Sequence, residues 1–189
     1  MGKRFEHLTK QHIDFIQRQK LYFVATAGPQ GSVNVSPKGG DSLRVLDANT
    51  LIWLNLTGSG NESAGHVQLD PRMTVMFCAF EGPPMILRTY GKATALHRGD
   101  AQWQEYVDLF PASVASRQIF VQHIETVQTS CGMSVPYFDY VADRDDLAKW
   151  SDKQGPDGIE RYWINRNQQT IDGFDTDIVA RSGLQEPTD

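Results

Sequence analysis

Residues 54–67 read LNLTGSGNESAGHV, and how this stretch is interpreted settles which fold the chain takes. Leu54 to Leu56 end an apolar strand, Gly58 and Gly60 mark a turn, and Glu62 to Leu69 read as a short helix that Asp70-Pro71-Arg72 breaks. Free backbone N–H groups at such a helix start can gather around an anion, with Asn61 and Ser63 as further donors; a glycine-rich turn that merely reverses the chain has the same pattern. GSGNES also nearly spells the G-x-G-x-x-G of a dinucleotide-binding crossover, with Glu81 about 20 residues further on. Ser63 replaces the third glycine, however, and a helix of about two turns is cramped for a connection between parallel strands. Antiparallel neighbours are the better expectation.

The flanking sequence supports this. Thr9 caps a helix running to about Lys20, with Ile13 and Ile16 on one side. LYFVATA (21–27), the turn GPQG and SVNVS (32–36) form a hairpin. LRVL (43–46), DANT and LIWLNL (51–56) form another. MTVMFCAF (73–80) is almost continuously apolar, which predicts cover on both faces. MILRTYGKATAL (85–96) is a long strand in which Gly91 marks a bulge or bend. Helical periodicity follows over about 100–110, then a last strand, RQIFVQHIETVQ (117–128). Short strands joined mostly by tight turns predict an α+β protein, mainly β with helices at the ends, built as an antiparallel barrel. Residues 1–128 form that barrel; residues 129–189 form an extension with polar helical stretches near Leu147–Trp150 and Ile159–Tyr162, and a frayed tail after about 177.

The whole chain has 189 residues, a net charge of -5, 40% hydrophobic and 22% charged residues. This is an ordinary globular mixture, and its acidity argues against nucleic acid or an anionic membrane as partner, though a local basic pocket is compatible with it. Only two cysteines, Cys78 and Cys131, distant in sequence and without a C-x-x-C, argue against a disulfide scaffold or zinc ribbon. MGKRFEHLTK lacks the apolar core of a secretory signal and no apolar run is long enough to span a membrane, so a cytoplasmic location is expected.

Several residues carry candidate chemistry. Lys38 ends a strand just before Gly39-Gly40, and Arg88 sits within an apolar strand where a lone guanidinium is costly. An anionic ligand would satisfy both; so would pairing with Asp41 or Glu81. Gly39-Gly40-Asp41-Ser42-Leu43 resembles an esterase nucleophile block, but no D-x-x-H follows and no G-x-S-x-G exists. The five histidines show no metal-ligand spacing. His66 stands apart because it lies one turn beyond Asn61 to Ser63. Cys131 is either a reactive thiol or a small buried hydrophobe. No catalytic acid or base is picked out.

The order NVSPKGG, LNLTGSGNESAGHV and PPMILRTYGKA, from about Phe5 to Gln128, resembles the pyridoxamine 5'-phosphate oxidase-like flavoproteins. VQTSCGMSVPYF and the later RYWINRNQQTIDG resemble a bacterial branch with a C-terminal extension, of which GSGNES followed by His66 is the most specific mark. The resemblance implies an FMN-binding split barrel and a homodimer holding FMN in the clefts between subunits. It implies Ser36, Lys38, Asn61 and Ser63 at the phosphate, His66 close by, Arg88 near the flavin, and Ser130 where the second subunit approaches. The expected function is an FMN-dependent oxidoreductase acting on a small molecule; the alternative is a module that binds flavin, haem or a deazaflavin without turnover. Val33 and Asn34 stand where the true oxidase has an arginine, and its C-terminal arginine–histidine motif has no counterpart after Tyr162. Oxidation of the vitamin phosphate is therefore not implied.

Overall fold

A computed structural model describes residues 2–185. In chain order the elements are β1 (Lys3–Phe5), α1 (Lys10–Arg18), β2 (Leu21–Ala27), β3 (Val33–Gly39), β4 (Leu43–Val45), β5 (Thr50–Leu56), α2 (Glu62–Leu69), β6 (Arg72–Cys78), β7 (Ile86–His97), α3 (Trp103–Val107), β8 (Ser116–Ser130), α4 (Asp146–Arg166) and α5 (Ile178–Arg181). The strands form one eight-stranded sheet in the order β3-β2-β6-β7-β8-β5-β4, with β1 added to β8. Every strand pair is antiparallel, which removes the dinucleotide-binding crossover as a reading of GSGNES.

The sheet curls because one face of nearly every strand feeds the same core. Val24, Leu51, Trp53, Val75, Phe77, Leu87, Phe120 and Val127 are all buried in it, with Trp53 and Phe120 stacked at 4.4 Å. Leu8, just ahead of α1, and Phe15 and Ile16 on it pack into the same core. Thr9 starts that helix with a reciprocal cap in which its hydroxyl accepts from the His12 N–H and the His12 ring accepts from the Thr9 N–H.

Gly91 lets β7 bend. The register of β7 against β8 shifts between Tyr90 and Gly91, and a Cβ at 91 would lie 1.9 Å from the His123 carbonyl oxygen. A second apolar cluster, Ile52, Leu54, Phe110 and Ile119, lies on the outer face of β5 and β8 beneath α3. Among the described residues no helix is long and apolar enough to cross a membrane.

Three expectations need correction. β8 continues to Ser130, so the barrel ends two residues beyond 128, and β1 pairs with its last turn of sequence, Val127 to Thr129. In β6 only Met73, Val75 and Phe77 face the core, while Thr74 and Met76 are half-buried on the other face. The two helical stretches near 147 and 159 are both present within α4 as expected, separated by a break at the non-helical Gly155 (φ 64°, ψ 175°), with Pro156 opening the second, where its missing N–H costs no helix hydrogen bond. The chain is not frayed directly after 177: Ile178 is buried against Ile159 and Trp163, and the Gly99 N–H binds the Arg181 carbonyl at 2.9 Å. One buried isoleucine anchors a segment whose polar composition suggested none. The remaining tail, residues 186–189, lies outside the described residues.

Candidate functional site

Strand alternation decides what Lys38 faces. In the hairpin β2–β3, Asn34, Ser36 and Lys38 sit opposite Thr26, Val24 and Tyr22, on the core side of the sheet, at the open mouth of the barrel. Across that mouth lies the loop from Thr57 to Asn61 and the start of α2. Together with Arg117 from β8 these segments line a cavity of about 450 Å³, within the range of small-molecule sites.

Its electrostatics are unusual for so acidic a chain. The Lys38 ammonium lies 5.0 Å from the centre of the Trp53 ring and donates to Asn55 Oδ1 at 3.5 Å, and no carboxylate pairs with it among the described residues. Burial, with the nearby Arg117 charge adding to it, pushes its pKa down to about 8. Arg117 is 2% exposed. Its Nη1 donates to Asn167 Oδ1 at 2.7 Å and to the Gly58 carbonyl at 3.4 Å, and its Nε has no protein partner among the described residues. Burial lowers its pKa to about 9. Two largely desolvated cations thus line one cavity with no carboxylate paired to either among the described residues, an arrangement that an anionic ligand would relieve.

Neutral donors surround them. Asn34 donates to Ser63 Oγ (3.3 Å) and accepts from Ser36 Oγ (3.2 Å), while Thr26 Oγ1 bridges Ser63 Oγ (3.2 Å) and His66 Nδ1 (3.1 Å). Ser36, Lys38, Asn61 and Ser63 therefore meet in one place. Asn61 Oδ1 is buried without a protein partner among the described residues, and its Nδ2 donates to the Asn167 carbonyl at 3.1 Å. Glu62, at the rim, is engaged by the Ile171 N–H at 3.0 Å.

His66 stands one layer behind. Its ring is 1% exposed, lies edge-on to Phe174, and touches the site through Thr26. Arg88 and Ser130 lie elsewhere: Leu87 points into the core, so Arg88 points out of the opposite face of β7, where Nη1 donates to Ser130 Oγ at 3.2 Å. Neither Asp41 nor Glu81 pairs with Arg88; Asp41 is bound by Arg44. Ser42, in the esterase-like GGDSL, is buried and hydrogen-bonded to Tyr22 and the Gly39 carbonyl, with no histidine beside it. Cys78 is buried and Cys131 exposed, both as free thiols. No group of three or more His, Cys, Asp or Glu side chains suited to a metal occurs among the described residues.

Arg117 and Asn34 are the residues that the sequence reading missed. Arg117 opens an apolar strand with no acidic residue nearby in sequence, the same signal that drew attention to Arg88.

The loop that forms one wall is held by the extension. Trp163 Nε1 donates to Thr57 Oγ1 at 2.9 Å, Asn167 Nδ2 to the Gly58 carbonyl at 3.1 Å, and the Asp172 carboxylate accepts from Ser32 N at 2.8 Å. The guanidinium of Arg98 covers the Trp163 ring at 4.4 Å.

Comparison with known proteins places this architecture. Residues 8–131 match the sequence model of the pyridoxamine 5'-phosphate oxidase family. The pyridoxamine 5'-phosphate oxidase family protein UstO of Aspergillus flavus is 31% identical over 188 aligned positions, covering 90% of this chain and 76% of that one. Among solved structures, a pyridoxamine 5'-phosphate oxidase candidate from Lactobacillus delbrueckii aligns at TM-score 0.52 and 21% identity, over 65% of this chain and 94% of its own. HupZ of Group A Streptococcus aligns at TM-score 0.51 and 21% identity, over 64% and 91%. These two share the split-barrel fold with it. The antiparallel barrel, the match across its length and the similarity to UstO make this chain a member of the pyridoxamine 5'-phosphate oxidase family.

Proposed function

We propose that the protein is an FMN-binding flavoprotein that acts as a homodimer and carries out redox chemistry on a small molecule. The observation that carries this is the meeting of Lys38 and Arg117, two cations that no carboxylate pairs with among the described residues, in a cavity also lined by Ser36, Asn61 and Ser63, with Glu62 at its rim. A phosphate monoester supplies the missing charge, and its three terminal oxygens suit a set made of an ammonium, a guanidinium, hydroxyls and the N–H groups at the start of α2. Bound FMN would supply the electron-accepting ring; the protein's own groups hold and orient the phosphate.

Dimerisation has separate support. Val33 (70% exposed) and Val35 (60%) stand on the face of the sheet that carries Arg88 and Ser130, and half-buried Phe23 and Met76 share it. A second copy covering this face would remove those valines from water and bring Arg88 and Ser130 to the interface. Light scattering is expected to give twice the 21.2 kDa chain mass, and a monomer at micromolar concentration overturns this part.

The test of the main reading is reconstitution. Protein mixed with excess FMN and desalted is expected to keep flavin absorbance and to melt at a higher temperature; colourless protein with an unchanged melt refutes it. Reduction of the bound flavin by NADH or NADPH, followed by reoxidation, separates an enzyme from a module that only binds.

Affinity should also depend on pH. The bound phosphate stabilises charged Lys38 and so raises its pKa above the free value of about 8. Binding is strongest while Lys38 is protonated in the free protein and weakens as pH rises through and beyond 8. The phosphate itself loses its second charge below about pH 6, so affinity falls there too. Titration of FMN at several pH values is expected to show a plateau between about 6 and 8. A flat profile up to pH 10 would remove Lys38 from the phosphate.

A further inference from the structure

Arg117 owes its uncompensated charge to the chemistry of one residue outside the barrel. Its guanidinium rests on two neutral acceptors, the Asn167 side-chain oxygen and the Gly58 carbonyl. Asn167 is fully buried and uses all of its polar side-chain and carbonyl groups. Oδ1 accepts from Arg117, Nδ2 donates to Gly58, and the main-chain carbonyl accepts from Asn61 Nδ2 and Thr176 Oγ1. The amide can point only one way, because reversing it would set NH2 against the guanidinium and a carbonyl against a carbonyl. A single residue thus fixes Gly58 in the turn and Arg117 on β8 through its side chain, and Asn61 at the start of α2 through its main-chain carbonyl.

An aspartate fits the same volume. It would complete an ion pair with Arg117 and lose the donor to Gly58, leaving the cavity with one net cation fewer. We propose that Asn167 is a positioning residue that holds Arg117 over the cavity as an uncompensated cation, and thereby makes the site select phosphate-bearing ligands over their unphosphorylated counterparts. This rests on reading the cavity as a phosphate site, and it assigns the C-terminal extension a part in specificity. A purely structural role would make the opposite demand, since a buried arginine is best stabilised by a carboxylate.

The experiment compares wild type and Asn167→Asp by calorimetric titration with FMN, riboflavin and inorganic pyrophosphate, together with the melting temperature of ligand-free protein. The expected result is about 30-fold weaker FMN binding in Asn167→Asp, as for loss of a charge-assisted hydrogen bond. Pyrophosphate binding should weaken in parallel, riboflavin binding should stay within about twofold, and the ligand-free melt should hold or rise. Equal losses for FMN and riboflavin, or no loss for FMN, overturn the proposal while leaving FMN binding intact. If wild type binds pyrophosphate but no flavin, the flavin reading fails; selective loss of pyrophosphate binding in Asn167→Asp then still supports the proposal, and its retention overturns it. If wild type binds none of the three, both fall. Should Asn167→Asp not fold, Arg117→Met decides in its place: an unchanged ratio of FMN to riboflavin affinity refutes the assignment, and a collapsed ratio supports it.

Discussion

Replacing Lys38 by methionine is expected to weaken FMN binding about 100-fold and, at the same time, to make the ligand-free protein harder to melt. Both effects come from one cause. In the free protein Lys38 is a half-buried cation against Trp53 whose one hydrogen bond among the described residues is to an amide oxygen, and its pKa is held near 8 by burial and by Arg117. Below that pH the folded chain carries the full cost of keeping it charged. A depression of this size corresponds to about 3 kcal/mol, an order of magnitude only. The cost is relieved as pH rises from about 8 towards the value of an unfolded lysine. Methionine keeps the length and apolar contact with Trp53 and removes the charge, so the free fold gains. The phosphate loses a charge-assisted partner in a desolvated site, which accounts for the loss of affinity. Fluorescence titration with FMN and a thermal melt without it read the two effects. Unchanged affinity removes Lys38 from the site. A lowered ligand-free melt would mean that the buried charge is compensated by something else.

Gly91→Ala is the substitution with the largest expected effect on the fold. The added methyl group would sit 1.9 Å from the His123 carbonyl oxygen and 3.0 Å from the Ile124 Cα, both backbone atoms. No rotamer change can relieve this, because the obstacle is the paired strand and the register shift already lies at this point. Either β7 and β8 part locally or the bulge is lost, and losing it would turn alternate residues of β8 to the wrong face. A cost of about 4 kcal/mol is expected, which at this chain length lowers the melting temperature by roughly 8–16 °C. Urea denaturation measures it directly. A loss below about 0.5 kcal/mol would show that the strands adjust freely.

Much of this fold was legible because its signals are local. Gly91 in MILRTYGKATAL, the GPQG and DANT turns and the brevity of the helix after GSGNES each act within a few residues. The polar cluster at the cavity was half legible. Ser36, Lys38, Asn61 and Ser63 announce themselves through glycines and polar side chains at element ends, and they meet at one cavity. Arg88 was grouped with Lys38 although strand register separates them. Lys38 pairs across the sheet with Tyr22, then Phe77, then Leu87, whereas Arg88 belongs to the next row, with Met76, Phe23 and Pro37. Adjacent rows face opposite ways, so one residue of register decides which arginine joins the lysine. Arg117 was passed over as part of a strand. Its role depends on Asn167, which lies 50 residues away in sequence and whose position follows from tertiary packing alone.

The clamp made by the extension also orders events in time. Contacts from Asp172 to Ser32 and from Asn167 to Asn61 close separations of 140 and 106 residues, whereas most barrel strands can pair as soon as β8 exists. Such distant closures come late, because the entropy of joining remote segments has to be met before their contacts contribute. A nascent chain that has just finished its barrel therefore has Lys38 in place but an unsettled Gly58–Asn61 loop and an Arg117 without its Asn167 partner. The pocket matures last, so whatever ligand it takes is expected to be held only by chains that have folded to the end.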